Sequence, residues 1–90
     1  MVIKLYVVLA YDVHFNRTNL FKSFCREYLT WVQNSVFEGE LRPTQFTILK
    51  DTLENMITDG ENVRIWTVED KKFLQLICIG DSTPEKSNFI

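Results

Sequence analysis

The residues best placed for chemistry sit where an apolar run gives way to a polar one. Asp12 follows the nearly unbroken apolar stretch VIKLYVVLAY, Val2 to Tyr11. In open α/β sheets, ligands gather at the carboxyl ends of strands. A carboxylate there can hold a hard cation such as Mg²⁺, which takes oxygen ligands and keeps several waters. It can equally do no more than hydrogen-bond the amides of a turn. One Asp is a thin metal site, so the metal reading calls for a second carboxylate, for instance from a partner chain. Arg17 falls in the first turn of a predicted helix, where the macrodipole disfavours a cation by roughly a few tenths of a kcal/mol. A cation kept there makes sense if it meets an anion, either a phosphate or Asp12. His14 is a candidate proton shuttle beside Asp12.

Other charged groups are spread more widely. Glu38 and Glu40, in FEGEL, share a strand face and read as solvent-facing carboxylates at a strand end, or as partners for a basic ligand or a metal. Residues 14 to 29 carry Arg17, Lys22 and Arg26 against Glu27 alone. Residues 38 to 61 carry Glu38, Glu40, Asp51, Glu54, Asp59 and Glu61 against Arg42 and Lys50. The first helix is therefore the basic surface and the second the acidic one. Two basic helices in a two-fold dimer could track a phosphate backbone, although each alone reads as an ordinary solvated face. Cys25 and Cys78 lie among apolar neighbours in no C-x-x-C spacing, and a single His cannot complete a zinc site, so both read as buried reduced thiols. No nucleophilic triad, phosphate-binding glycine loop, dinucleotide fingerprint or aromatic RNA-stacking pair is present.

The elements that must position these residues follow from the apolar pattern. Ninety residues, 46% hydrophobic and 24% charged, make one domain and no more. That composition excludes disorder and low complexity. A net charge of -2 excludes a strongly basic nucleic-acid binder on totals, though not a locally basic face. Val2 to Tyr11 reads as a central strand buried on both faces. It is not read as a signal peptide, because Lys4 breaks the run and no basic region or cleavage site flanks it. It is also too short to span a bilayer.

His14 to Leu29 reads as a helix with Leu20, Phe21, Phe24 and Tyr28 on one face, Asn16 as N-cap, and Lys22 and Arg26 pointing away from the apolar stripe. Trp31 to Leu41 is a second strand region, either one bent strand or two short ones, with Gly39 suggesting a bulge or an end. Arg42-Pro43 opens a second helix with Phe46, Leu49, Leu53, Met56 and Ile57 inward, and Gly60 stands where a left-handed C-terminal cap would go. Val63 to Val68 and Phe73 to Ile79 read as a hairpin, with Val63 and Ile65 on one face and Arg64 and Trp66 on the other. The tail ends in Phe89-Ile90, a pair expected to dock on something. Two helices this short cover one face of the sheet. The expected fold is thus α+β, a ferredoxin-like two-layer sandwich whose open face invites dimerisation.

The strand ending Val7 to Asp12, VVLAYD, followed by WVQNSVFEGEL at Trp31 to Leu41, resembles CRISPR-associated protein two, the Cas-two family. The resemblance covers essentially the whole chain. It implies a ferredoxin-like homodimer whose domain spans residues 1–80, with the 81–90 tail pairing on the partner's sheet. It implies a Mg²⁺- or Mn²⁺-dependent endonuclease, acting on single-stranded RNA or double-stranded DNA, in cytoplasmic antiviral defence. It further implies a bridge between subunits of the integrase, the Cas-one family, during spacer acquisition, with no membrane role. By the same resemblance Asp12 is the metal ligand and catalytic residue, paired with its copy across the dimer. Arg17 matches an early helix Arg linked to nucleic-acid contact, joined here by Lys22 and Arg26 of the basic helix. Phe37 matches the supporting strand near the site. Trp31 departs from the family, many members having Arg there. A VapD-like toxin ribonuclease and a non-catalytic ferredoxin-like ligand module are the alternatives.

Overall fold

The computed structural model describes residues 4–68. Within them a four-stranded antiparallel sheet carries two helices. The strands are β1 (Leu5–Asp12), β2 (Thr30–Gln33), β3 (Val36–Leu41) and β4 (Asn62–Val68), in the order β2-β3-β1-β4. The helices are α1 (Thr18–Cys25) and α2 (Pro43–Met56). β1 is antiparallel to β3 on one side and to β4 on the other, which makes it the central strand its apolar run predicts. This is the ferredoxin-like arrangement. The expected hairpin partner at 73–79, Cys78 and the tail at 81–90 lie outside the described residues.

Side chains alternate across a strand, and β1 divides the core accordingly. Val7, Leu9 and Tyr11 join Phe21, Cys25, Leu29, Phe37, Leu41, Leu49 and Leu53 in the cluster beneath the helices. Tyr6 and Val8 join Val36 on the opposite sheet face, with Ala10, Trp66 and Val68 packed against them. Val63 and Ile65 pack with the helix-side cluster while Trp66 lies on the other face, as the alternation of β4 requires.

Several local expectations are corrected and one open alternative is resolved. The first helix is not continuous. A 3-10 turn at Phe15–Arg17 precedes α1, and Arg17, not Asn16, occupies the N-cap position of α1. The turn is closed by Arg17 N–H donating to the His14 carbonyl at 2.8 Å and by the Thr18 hydroxyl donating to the Phe15 carbonyl at 3.1 Å. The inward face of α1 is therefore set by Phe21 and Cys25, and Leu20 is exposed.

The strand region from Trp31 is two strands, turned at Asn34, whose φ of 40° is a left-handed value that Asn tolerates better than most residues. Gly39 is neither a bulge nor an end. It sits inside β3 opposite Val7, and a Cβ there would meet Leu29 Cδ2 at 3.2 Å, so the glycine lets the chain after α1 pass close over the sheet. The irregularity falls instead between Trp31 and Gln33.

Helix α2 begins at Pro43 as predicted, with the Arg42 N–H donating to Gln45 Oε1 at 3.0 Å. Its C-cap is Ile57 in extended conformation, not Gly60. Gly60 does take a left-handed φ of 83°, but in the turn into β4, where a side chain would press on the His14 ring. No helix among the described residues is long and apolar enough to cross a membrane.

Candidate functional site

Asp12 ends the central strand, paired across to Asn62 at the start of β4. It continues the set Tyr6, Val8, Ala10, so it belongs to the sheet face away from the helices. It is exposed, and its carboxylate has no hydrogen-bond or ion-pair partner among the described residues.

What fixes the backbone around Asp12 is a residue that sequence reasoning passed over. Glu61 immediately precedes Asn62, the cross-strand neighbour of Asp12. Its side chain accepts three hydrogen bonds. Oε2 takes the His14 N–H at 3.1 Å and the Arg17 Nε–H at 2.8 Å, while Oε1 takes the Thr58 N–H at 2.9 Å. The residues after β1 and the turn before β4 are thereby tied through one buried carboxylate. Burial alone would raise the pKa of Glu61. The amides of Thr58 and His14 and the Arg17 guanidinium outweigh it and hold the group at about 2.

Arg17 therefore meets an anion, but the anion is Glu61 and not Asp12. Its remaining reach goes to the Met56 carbonyl at 2.6 Å, and its guanidinium stands 5.4 Å from the Phe21 ring centre. The unfavourable position of a cation at the start of α1 is answered inside the fold. His14 turns to the same hub, with its Nε2 donating to the Asp59 carbonyl at 2.7 Å. A carbonyl only accepts, so this bond sets the tautomer of a neutral ring, with the proton on Nε2.

The other predicted residues divide between surface and core. Lys22 Nζ and Arg26 Cζ stand 4.2 and 5.8 Å from the ring centre of Trp31, so the basic face of α1 is gathered over one indole on β2. Phe37 is fully buried in β3 and stacks on Tyr11 with centroids 6.0 Å apart. It supports the strand that carries Asp12 and is shut off from solvent. Glu38 and Glu40 do share a strand face. Glu38 is half-buried and accepts a bond from the Tyr6 hydroxyl. Burial, then this bond and the two glutamate charges, push the Tyr6 phenol up to about 12. Cys25 is free and buried, and burial likewise raises its thiol to about 12, so it is no nucleophile near neutrality.

Among the described residues no three metal-ligating side chains gather in one place. Mg²⁺ nevertheless needs only one or two protein carboxylates, its remaining positions going to water and phosphate oxygens. An exposed, unpartnered Asp12 on a clamped strand end fits that requirement as part of a site.

Comparison with known proteins points one way. A family model described as CRISPR associated protein Cas2 matches residues 5–76. A protein of Methanosarcina acetivorans named CRISPR-associated endoribonuclease Cas2 is 40% identical over 96% of this chain and 100% of its own length. A protein of the same name from Thermotoga maritima is 38% identical over 84% of this chain and 88% of its own length. A crystal structure of a Cas2 protein, 34% identical, agrees with a TM-score of 0.78 over 90% of this chain and 93% of that one. The Cas2 structure from Streptococcus pyogenes, 24% identical, shares the fold with a TM-score of 0.67, covering 81% of this chain and 99% of that one.

Proposed function

The chain belongs to the CRISPR-associated Cas2 family, and from that premise we propose that it is a metal-dependent endoribonuclease working as a homodimer, with Asp12 as the metal-binding catalytic residue. The observation that carries the proposal is the exposed Asp12 carboxylate, unpartnered among the described residues, at the end of the central strand, with the chain two residues on held by Glu61 through the His14 N–H. The relatives' shared name, endoribonuclease, supports the reaction class and an RNA substrate. A divalent ion, Mg²⁺ or Mn²⁺, polarises a phosphate and lowers the pKa of bound water when present. Asp12 from each of two protomers would hold it, since among the described residues one protomer offers a single free carboxylate at the end of β1. Asp12 lies on the face that the helices leave uncovered, which is the face two protomers would share.

Nucleic acid would be drawn by the basic face of α1, through Lys22 and Arg26. Arg17 is engaged by Glu61 and Met56, so its part in nucleic-acid contact is to hold the first turn of that surface in place. The same dimer would hold duplex DNA and bridge integrase subunits of the Cas-one family during spacer acquisition in the cytoplasm. The family match supports that reading, and buried, free Cys25 accords with a reducing compartment.

The test is cleavage of a single-stranded RNA before and after chelation. EDTA should abolish cleavage, and added Mg²⁺ or Mn²⁺ should restore it. Cleavage that survives chelation would contradict a metal-dependent site.

A further inference from the structure

Trp31 sits on edge strand β2 opposite Phe37, and so on the helix side of the sheet. It is 40% exposed, an unusual place for an indole, yet its position is firmly defined. The ring Nε1–H donates to the Asn34 carbonyl at 2.9 Å. Lys22 of α1 and Arg26, its C-cap residue one helical turn on, both lie close to the ring. Beside it lies a cleft of ≈ 320 Å³ whose walls include Thr18, Asn19, Lys22, Trp31, Asn34 and Ser35. The volume suits one nucleotide. The walls offer an aromatic plane, a cation and several amide and hydroxyl groups.

We propose that the exposed part of Trp31, beside Lys22 and Arg26, is a stacking platform for an unpaired base of single-stranded nucleic acid. An aromatic plane accepts any base, because every base has a π-face, and the neighbouring cations take the adjoining phosphates. In a duplex the base faces are covered by their neighbours in the stack, so the platform selects single strands. A ring already immobilised by a hydrogen bond and two cations loses little freedom when a base lands on it. Tyr11 also borders the cleft. Tyr11 directly precedes Asp12, which faces the other side of the sheet, so a strand based on Trp31 would reach Asp12 only by passing around the end of β1. The platform rests on the nucleic-acid reading above and names Trp31 as the group that would contact an unpaired base.

The experiment is fluorescence anisotropy of the full-length protein with three labelled probes: a single-stranded oligodeoxyadenylate, the same backbone with abasic sites, and a blunt duplex. Trp31→Ala should weaken single-strand binding by about 5- to 100-fold, leaving the abasic and duplex probes unchanged, and Trp31→Phe should recover most of the loss. If Trp31→Ala does not fold, Trp31→Leu keeps the bulk without the π-face and should give the same pattern. An unchanged single-strand affinity, or an equal loss on all three probes, overturns the platform alone. A wild-type protein that binds none of the probes overturns the nucleic-acid reading, and the platform with it.

Discussion

At the scale of single residues, Glu61 and Asp12 divide the labour. Asp12 is exposed and unpartnered among the described residues, while Glu61 is buried and accepts three hydrogen bonds. Asp12→Asn should therefore leave thermal unfolding unchanged and reduce cleavage by ~100-fold or more, at least the loss that follows removal of an outer metal-site partner. Glu61→Gln should do the reverse in part. It lowers stability, and it lowers cleavage only through the position of Asp12, so the loss should be smaller than that of Asp12→Asn.

The pH dependence of stability separates the two further. Glu61 has an ordinary value of 4.5 and is held at about 2 in the fold. A depressed carboxylate contributes stability that is complete above the unfolded value and is lost as pH falls through the folded one. The melting temperature should fall between about pH 4.5 and 2 in the wild type, and less steeply in Glu61→Gln. Asp12 stands out in the sequence because a carboxylate ending a buried strand is conspicuous. Glu61 does not, because a Glu after Gly60 looks like a solvated turn. Its partners His14 and Arg17 stand 47 and 44 positions away, and no local pattern joins them.

Elements show the same contrast between local and distant causes. β1, α2 and β4 are legible because the continuous apolar run of β1, the apolar stripe of α2 and the alternation of β4 are local signals. The break before α1 is not legible, since no Gly or Pro marks it between His14 and Thr18. What tightens the chain there is Arg17 reaching back to Glu61 and Met56. The turn at Asn34 was left open for a related reason, because alternation runs on across it. Two substitutions test these elements. Gly60→Ala forces a φ of 83° on a residue with a Cβ that would sit 3.3 Å from His14 Cε1. The cost should be about 1–2 kcal/mol, read in denaturant titration, and it should also disturb the hub around Glu61. Phe37→Ala empties a fully buried site and should cost about 3–5 kcal/mol. A chain of this size has little more than that to lose. Lost cleavage in Phe37→Ala should therefore accompany lost fold in the same titration, which distinguishes a supporting residue from a catalytic one.

For the whole molecule, the formal charge of -2 is a poor guide to nucleic-acid binding. The basic groups of α1 gather over Trp31, while α2 carries acids, so the field is local and not global. Affinity for nucleic acid should fall with salt along a log–log slope near -0.9 per phosphate neutralised on duplex DNA, and the slope should shrink in a Lys22→Gln, Arg26→Gln double variant. The proposed active site likewise belongs to more than one chain, because among the described residues one protomer offers a single free carboxylate at the end of β1. That claim is tested most directly by the specific cleavage activity of wild type and Asp12→Asn refolded together in varied proportion. If two Asp12 carboxylates share one ion, activity follows the square of the wild-type fraction, about one quarter at equal mixing in a two-fold dimer. Activity that falls in simple proportion, to about one half at equal mixing, would contradict a shared site.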